Sequence, residues 1–141
     1  MDTQDYKTHR RWVPLYHFVL SSLILVLLVA SGILAFRAEE ERAGGFILLG
    51  LVIALMLMFY FCRDFALKAQ DRAIRAEENL RNLVLNGELL DSRLTIRQIV
   101  GLRFASDGEL GALAKRAAEE GLSENDIKKS IQTWRGDFYR V

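Results

Sequence analysis

A chain of 141 residues accommodates one modest domain with accessory segments. Its one cysteine, Cys62, excludes an intrachain disulfide bond and a metal site built from several cysteines. The formal net charge of +1 conceals an uneven distribution, because the stretches 18–36 and 43–62 contain no Asp, Glu, Lys or Arg. The remaining parts of the sequence are rich in these four residue types.

The two charge-free stretches predict two transmembrane helices, at 15–36 and 44–62. Each approaches the ~20 residues that a helix needs to cross a hydrocarbon core of ~30 Å. A cleaved signal peptide is the alternative for the first stretch, but the apolar run exceeds the ~7–15 residues typical of such peptides. Small residues at helix-contact spacing predict close packing between the spans. They are Ser31, Ala35, Gly50 and Ala54.

The basic residues predict that both chain termini face the cytoplasm. The segment 37–43 between the spans is short and contains two Lys or Arg residues, whereas the flanks 1–14 and 63–75 together contain seven. Lys and Arg near the ends of a span are retained on the cytoplasmic side. The segment 37–43 is therefore expected to be a solvated turn on the opposite side of the membrane.

The sequence HRRWVPLYH, at 9–17, has the composition of a membrane-helix end. Basic and aromatic residues of this kind occupy the boundary between the bilayer and water. Pro14 suits the first turn of a helix, where its missing N–H would have no partner in any case. The residues predicted to lie at the lipid interface are Arg10, Arg11, Trp12 and Tyr16.

The two histidines of this stretch leave two interpretations open. His17 is a weak candidate for binding a haem or a quinone, but Pro14 separates it from His9, so the two rings need not share a face. The simpler interpretation gives His17 a structural role, with one hydrogen bond to the neighbouring helix near Arg63 and Asp64.

The second span is predicted to continue into a juxtamembrane amphipathic helix at 63–86, so that one helix runs from about 45 to 85. Neither Pro nor Gly occurs between Leu51 and Asn86, whereas Gly87 suits the end of a helix. Acid–base pairs at i,i+4 spacing, such as Glu77 with Arg81, favour the same helix.

Small and apolar residues recur along 63–86 in alternating steps of three and four, which is the spacing of the a and d positions in a coiled coil. We call this line of residues the seam; it consists of Ala66, Ala69, Ala73, Ala76, Leu80 and Leu83. The seam is predicted to be an interaction surface, covered by a second copy of the chain or by the C-terminal segment. In a parallel dimer, Arg72 and Glu77 would form a favourable pair between the chains.

The residues 94–141 are predicted to form a cytoplasmic subdomain of three short helices. Three Ser or Thr residues have the spacing of helix N-terminal caps, two of them in the capping-box pattern. They are Thr95 with Gln98, Ser106 with Glu109, and Ser123. Gly121 is placed to end the second helix, and apolar residues at helical spacing extend the third helix to Trp134.

The tail composition argues against two classes of function. Residues 94–141 contain eight Lys and Arg against seven Asp and Glu, so they present no strongly basic face to a nucleic acid. The tail has no His or Cys, and the chain has no P-loop, GxSxG, HExxH or CxxC motif, which predicts no enzyme activity and no metal site. Four tail residues are instead predicted to form structural ion pairs. They are Arg103, Asp107, Arg135 and Asp137.

Three stretches of the sequence read HRRWVPLYH (9–17), LRFASDGEL (102–110) and WRGDFYRV (134–141). Together they resemble a family of small uncharacterised two-span bacterial inner-membrane proteins with an HRRxxPxxH opening and an LRFASDxEL…WRxDxxRV tail. The resemblance covers nearly the whole chain, and it implies a bacterial inner-membrane location without implying an activity. It also identifies positions to test first, which are His9, Arg10, Arg11, Pro14, His17, Arg103, Asp107, Trp134, Arg135 and Asp137.

These observations predict an all-α membrane protein, in which a two-helix transmembrane hairpin extends through its second helix into the cytoplasm and precedes a small helical tail. We expect a non-enzymatic, membrane-anchored interaction protein that is an accessory or scaffold subunit of a larger membrane assembly, or a homo-oligomer. Its expected partners are the bilayer and a protein, without a cofactor or a nucleic acid. The alternatives are haem or quinone binding at the membrane interface, and binding of anionic lipid by the juxtamembrane basic residues.

Overall fold

The computed structural model describes residues 4–9, 11–37 and 39–139. Within these residues there are a π-helical segment and five α-helices, and no β-strand. The π-helical segment is Leu15–Leu20, and the α-helices are α1 Ser21–Arg37, α2 Arg42–Asn86, α3 Ile96–Leu102, α4 Asp107–Glu120 and α5 Glu124–Ser130. The predicted all-helical class is therefore confirmed.

The chain divides into two compact units. One is Arg11–Phe65, and the other combines the described residues of Met1–Arg10 with those of Ala66–Val141. Because α2 runs from Arg42 to Asn86, it contributes residues to both units.

The unit Arg11–Phe65 holds two helical stretches that are long and apolar enough to cross a membrane. They are Leu15–Arg37, which joins the π-helical segment to α1, and the apolar part of α2. In the most apolar window of each, 17% and 11% of the residues are buried. An apolar helix that formed the core of a water-soluble protein would be mostly buried, so these two expose apolar surface that the described protein leaves uncovered.

Contacts at both ends bring the two apolar helices together. The ring of Tyr16 stacks on that of Phe59 with 4.3 Å between centroids, and its hydroxyl donates to the Phe59 carbonyl oxygen at 2.7 Å. Near the other end, Gly45 lies so close to the backbone of Ala35 that an added Cβ would be 2.5 Å from the Ala35 nitrogen. Among the small residues predicted to pack, Ala35 and Ser31 are fully buried.

The other predicted small-residue pair does not pack in this way. Gly50 and Ala54 are exposed, and a Cβ added to Gly50 would meet nothing within 4 Å. The close approach occurs at Gly45 instead, because this glycine lies on the same side of α2 as the buried Val52 and the stacked Phe59. Residues 45, 52 and 59 are spaced by seven, which keeps them on one side of a helix.

α2 is one continuous helix of 45 residues. It starts at Arg42, slightly before the predicted start, and it ends at Asn86 as predicted. Gly87 follows with φ +78°, and its N–H donates to the carbonyl oxygen of Leu83 at 2.9 Å. A left-handed residue satisfies a free carbonyl group at a helix end most readily when it is glycine, which explains the position of the stop.

Two of the three predicted caps in the tail form as expected. The hydroxyl of Thr95 accepts from the Gln98 N–H while the Gln98 side chain accepts from the Thr95 N–H, which completes the capping box of α3. The Ser123 hydroxyl accepts from the N–H of Asp126 at the start of α5. Gly121, with φ +64°, ends α4 as predicted.

The third predicted cap is correct in position and wrong in its bonding. Ser106 is the N-terminal cap residue of α4, but its side chain forms no capping hydrogen bond. The Glu109 carboxylate accepts instead from the backbone N–H groups of Gln132 and Thr133, at 3.3 and 3.0 Å. Glu109 therefore attaches the segment after α5 to α4, because a carboxylate can satisfy two N–H groups of an extended backbone.

The third tail helix is shorter than predicted. α5 ends at Ser130, and Trp134 lies in an extended segment that forms an isolated antiparallel bridge with Ala105. The Arg135 N–H donates to the Phe104 carbonyl oxygen at 2.8 Å. The apolar spacing that predicted a longer helix is satisfied differently, because the Trp134 ring packs 5.1 Å from that of Phe104.

The tail helices enclose a small hydrophobic core. α3 packs against both α4 and α5. The largest fully buried side chains around this core are Phe104, Ile99, Leu102, Leu110 and Ile127. One buried polar group is matched inside it, because the Gln98 amide donates to the carbonyl oxygens of Ala117 and Leu122. Ile74 of α2 belongs to the same core, so this part of α2 packs against the tail helices.

Candidate interaction surface

The second part of α2 presents two different faces in the unit that contains the tail. Ile74, Glu78 and Asn82 are 4–5% exposed and follow one another at steps of four, so they form one buried face. The predicted seam lies nearly opposite this face. Ala66 is half-buried, and the other seam residues are exposed; these are Ala69, Ala73, Ala76, Leu80 and Leu83. The C-terminal segment, one of the two occupants predicted for the seam, therefore packs on a different face of α2.

The exposed apolar area is largest toward the C-terminal end of the seam. Leu80 is 61% exposed and Leu83 is 43% exposed, and Val84 beside them is 76% exposed. Single exposed apolar residues are ordinary on a protein surface, but adjacent ones on one helix face form a patch of the kind that binds another protein.

The buried face of α2 is held by charged and polar contacts. The Glu78 carboxylate accepts from Arg81 at 2.8 Å and from Arg135 at 3.4 Å. The Arg81 guanidinium also donates to the Ala105 carbonyl oxygen and to Asp107, at 2.8 and 2.6 Å. Because these hydrogen bonds are directional, they fix the rotation of α2 against the tail, and this rotation leaves the seam outside.

Two residues of opposite charge flank the exposed seam. Arg72 and Glu77 are both exposed, and their side chains form no ion pair or hydrogen bond with any residue that the structure describes. Glu77 was predicted to pair with Arg81 at i,i+4 spacing. The Arg81 side chain turns instead toward Glu78 and Asp107, which leaves the Glu77 carboxylate available to a partner.

The four tail residues predicted to form ion pairs all lie in ion pairs, in a network that includes α2. Arg103 contacts Asp137 at 3.3 Å, Asp107 contacts Arg81 at 2.6 Å, and Arg135 contacts Glu78 at 3.4 Å. Sequence reasoning missed Arg81 and Glu78 as partners. Their three-residue spacing, at which an acid and a base on one helix can pair, was the available signal.

Arg103 is the most buried arginine of this network. It is 7% exposed, and its guanidinium lies 4.6 Å from the centre of the Phe104 ring. Its Nε and Nη1 atoms form no hydrogen bond with the residues that the structure describes, although Nη1 forms the ion pair with Asp137. Burial lowers the pKa of Arg103, and the carboxylate of Asp137 opposes that shift. This ion pair attaches the C-terminal segment to the end of α3.

A short N-terminal arm, residues 4–9, packs on the same unit. The Asp137 N–H donates to the Gln4 side chain at 2.8 Å, and the Tyr6 hydroxyl donates to Asn125 at 2.6 Å. The His9 ring lies 6.0 Å from Phe104 and 5.9 Å from Trp134. Stretches far apart in the sequence thus meet here, and no local pattern predicted it.

His17 lies in a different setting, within Arg11–Phe65. Its Nδ1 atom is 3.1 Å from the N–H nitrogen and 3.0 Å from the carbonyl oxygen of Val13, and its ring meets those of Trp12 and Tyr16 edge-on. The hydrogen bond between the two apolar helices, predicted for His17, is formed by its neighbour Tyr16. Within the described residues, no group of three or more His, Cys, Asp and Glu side chains could hold a metal ion.

The residues predicted to contact lipid are described in part. Arg11 and Trp12 are exposed, Tyr16 is half-buried against Phe59, and Arg10 lies outside the described residues. The Arg63 guanidinium is 5.8 Å from the centre of the Tyr16 ring. Aromatic rings beside basic groups are typical of helix ends at a bilayer surface, so the lipid-interface prediction remains in place for Arg11, Trp12 and Tyr16.

The comparisons with known proteins identify a family and no activity. The model of the family of unknown function DUF6526 matches residues 1–141. No curated protein and no solved structure matches the chain. The match over the whole chain confirms the resemblance to an uncharacterised family, and it leaves the function to be inferred from the geometry.

Proposed function

Since the chain belongs to DUF6526, a family of unknown function, we propose its function from the two surfaces that α2 leaves exposed. The protein is a membrane-anchored, non-enzymatic interaction protein of the bacterial inner membrane. It serves as an accessory or scaffold subunit of a larger membrane assembly, or as a homo-oligomer. The ion pairs and exposed apolar residues of α2 suit binding rather than catalysis.

One observation carries the proposal. α2 is a single helix in which an exposed apolar stretch is followed directly by an exposed seam on the side away from the tail. The apolar stretch requires a hydrocarbon environment, since its most apolar window is 11% buried. The seam requires a protein partner, since apolar surface on a helix that is folded onto a tail is otherwise left in water.

The contacts between the apolar helices support an antiparallel transmembrane hairpin. Tyr16, at the start of the first stretch, contacts Phe59, whereas Ala35, at its end, contacts Gly45. The start of one helix thus contacts the end of the other at both places, as expected for two antiparallel helices. Close backbone approach at a small residue is also how transmembrane helices pack, because lipid offers no hydrophobic drive to associate.

The distribution of basic residues supports an orientation with both termini in the cytoplasm. Basic residues flank the outer ends of the two spans and outnumber those of the turn by seven to two. The tail and the N-terminal arm then share one compartment, which agrees with the contacts of Gln4 and Tyr6 with the tail.

The anchoring part is tested by extraction and labelling of the full chain. We expect the protein to stay in the membrane fraction after alkaline carbonate treatment. In a Cys62→Ala background, Glu40→Cys should react with a membrane-impermeant maleimide on intact cells stripped of their outer membrane. Lys115→Cys should react only after permeabilisation. Release by carbonate, or the opposite labelling pattern, would reject the proposed topology.

The interaction part is tested by a pair of matched variants. Leu80 and Leu89 are both 61% exposed, but Leu80 belongs to the seam and Leu89 does not. We expect mild-detergent purification of the native chain to give a stoichiometric complex, Leu80→Glu to dissociate it, and Leu89→Glu to leave it intact. A monomeric native chain without a partner, or equal effects of the two variants, would contradict the proposal.

A further inference from the structure

We propose that the occupant of the seam is a second copy of this chain, bound in parallel and in register through α2. The inference rests on the proposed function, because membrane anchoring determines the relative direction of the two copies. It adds the identity of the partner, the direction of the interface and the residue pairs that specify it.

The seam has the length and regularity of a coiled-coil contact. Its a positions are Ala66, Ala73 and Leu80, and its d positions are Ala69, Ala76 and Leu83. At 1.5 Å per residue these 18 residues extend over about 27 Å, which is two and a half heptads. The alanines permit close approach of the two helices, and the leucines at the C-terminal end supply most of the buried apolar area.

The tail is compatible with this interface because it contacts the other side of α2. With Ala73 at position a, the buried residues Ile74, Glu78 and Asn82 occupy positions b, f and c. These positions point away from the partner in a two-stranded coiled coil. Each α2 can thus bind its own tail and a second α2 at the same time.

Two copies anchored in one bilayer with the same topology enter the cytoplasm in the same direction. Their α2 helices can associate only in parallel, and a two-fold axis then brings identical surfaces together. A parallel interface places each g position opposite the e position five residues further along the partner helix. Arg72 is a g position and Glu77 is the matching e position.

The charges of this pair are complementary and available. Arg72 of one copy would meet Glu77 of the other, and the two-fold axis would repeat the contact. Both side chains are exposed and form no ion pair with any described residue of their own chain. An antiparallel copy would oppose g with g and e with e, so it would lose both pairs. The charge pattern therefore favours a parallel second copy over other helical partners.

The interface can be located by cross-linking in native membranes with a Cys62→Ala background. We expect a short bismaleimide to join two chains through Ala73→Cys and through Ala76→Cys. Arg75→Cys is the matched control, because residue 75 is also exposed but lies at position c. Cross-linking through Arg75→Cys as efficient as through Ala76→Cys would overturn the proposed interface.

The register can be established by exchanging the charges. Arg72→Glu and Glu77→Arg should each weaken dimerisation in mild detergent about fivefold, because two exposed pairs become repulsive. The double variant Arg72→Glu with Glu77→Arg should recover the dissociation constant of the native chain. Additive losses in the double variant would overturn the proposed parallel register. All variants are checked for native helicity by circular dichroism.

Failure of the inference can be distinguished from failure of the proposed function. A carbonate-resistant protein that forms a stoichiometric complex with a different chain at the seam would overturn the dimer and retain the scaffold function. A protein that carbonate releases from the membrane would overturn the scaffold function itself, since the direction of the helices would no longer be imposed. A carbonate-resistant dimer that responds to the charge exchange supports both.

Discussion

Between Ala66 and Asn86, one face of α2 buries polar residues and the opposite face exposes apolar residues, which is the reverse of an ordinary surface helix. The face toward the tail buries Glu78 and Asn82 next to Ile74, whereas the opposite face exposes Leu80 and Leu83. A surface helix normally turns its apolar stripe inward and its polar residues outward. The polar groups of the face toward the tail, here called the inner face, thus form specific hydrogen bonds. The opposite, outer face exposes apolar area that the described chain does not cover.

The difference indicates that the two faces have different roles. Buried polar contacts contribute little net stability, but they penalise any other arrangement because an unmatched charge in the interior is costly. Glu78 and Arg81 therefore fix how α2 rotates against the tail. Apolar contacts are less directional, so the seam can bind a partner that arrives later.

The largest effect should come from removing the buried charge. Glu78→Ala removes the buried carboxylate that Arg81 and Arg135 share and leaves Arg81 only Asp107 and the Ala105 carbonyl oxygen. We expect the opening free energy of α3 amides to fall by about 3 kcal/mol. Hydrogen exchange of the full chain in detergent measures this opening free energy. The neighbouring Glu77→Ala on the outer face should change it by less than about 0.5 kcal/mol. Equal effects at the two positions would abolish the distinction between the faces.

A smaller effect should follow from truncating the apolar residue of the inner face. Ile74 is 5% exposed and belongs to the tail core, so Ile74→Ala should lower the same opening free energy by about 2 kcal/mol. Leu80→Ala removes the same number of carbon atoms, but from an exposed site, and should leave the tail unaffected. Destabilisation of the tail by Leu80→Ala would mean that the seam is packed in solution by the chain itself.

The smallest effect should come from the polar end of the inner face. The Asn82 amide donates to the Glu88 carbonyl oxygen at 2.8 Å, and Asn82→Ala should lower the opening free energy of the α2–α3 connection by about 1 kcal/mol. Hydrogen exchange within 87–94 reports this change, with Leu83→Ala as the comparison. If Asn82→Ala had no effect, the inner face would be held by Glu78 and Ile74 alone.

The features that could be predicted from the sequence are those that neighbouring residues determine. The seam follows from the spacing of apolar residues in one helix, and the stop at Gly87 follows from a single residue that tolerates positive φ. The capping box of Thr95 and Gln98 likewise involves residues three apart. Local geometry is sufficient for each of these predictions.

The features that could not be predicted depend on residues far apart in the chain. Glu109 has the spacing of a capping box, but its carboxylate accepts hydrogen bonds from the N–H groups of Gln132 and Thr133 instead. Trp134 continues a helical pattern, but a backbone bridge to Ala105 makes its segment extended. The choice of tail face on α2 depended on Glu78 and Arg81, whose polar character suggested solvent rather than burial.

The N-terminal arm has a consequence for the order in which the protein assembles. Gln4 binds the backbone of Asp137, and Tyr6 binds Asn125. The arm can therefore form these contacts only after the two tail residues have been synthesised. At about 5–20 residues per second, the ribosome supplies those positions several seconds to tens of seconds later. Both apolar helices have been synthesised by then. Docking of the arm therefore follows the synthesis of both apolar helices, and chains interrupted before Asn125 should expose an unattached arm to proteases.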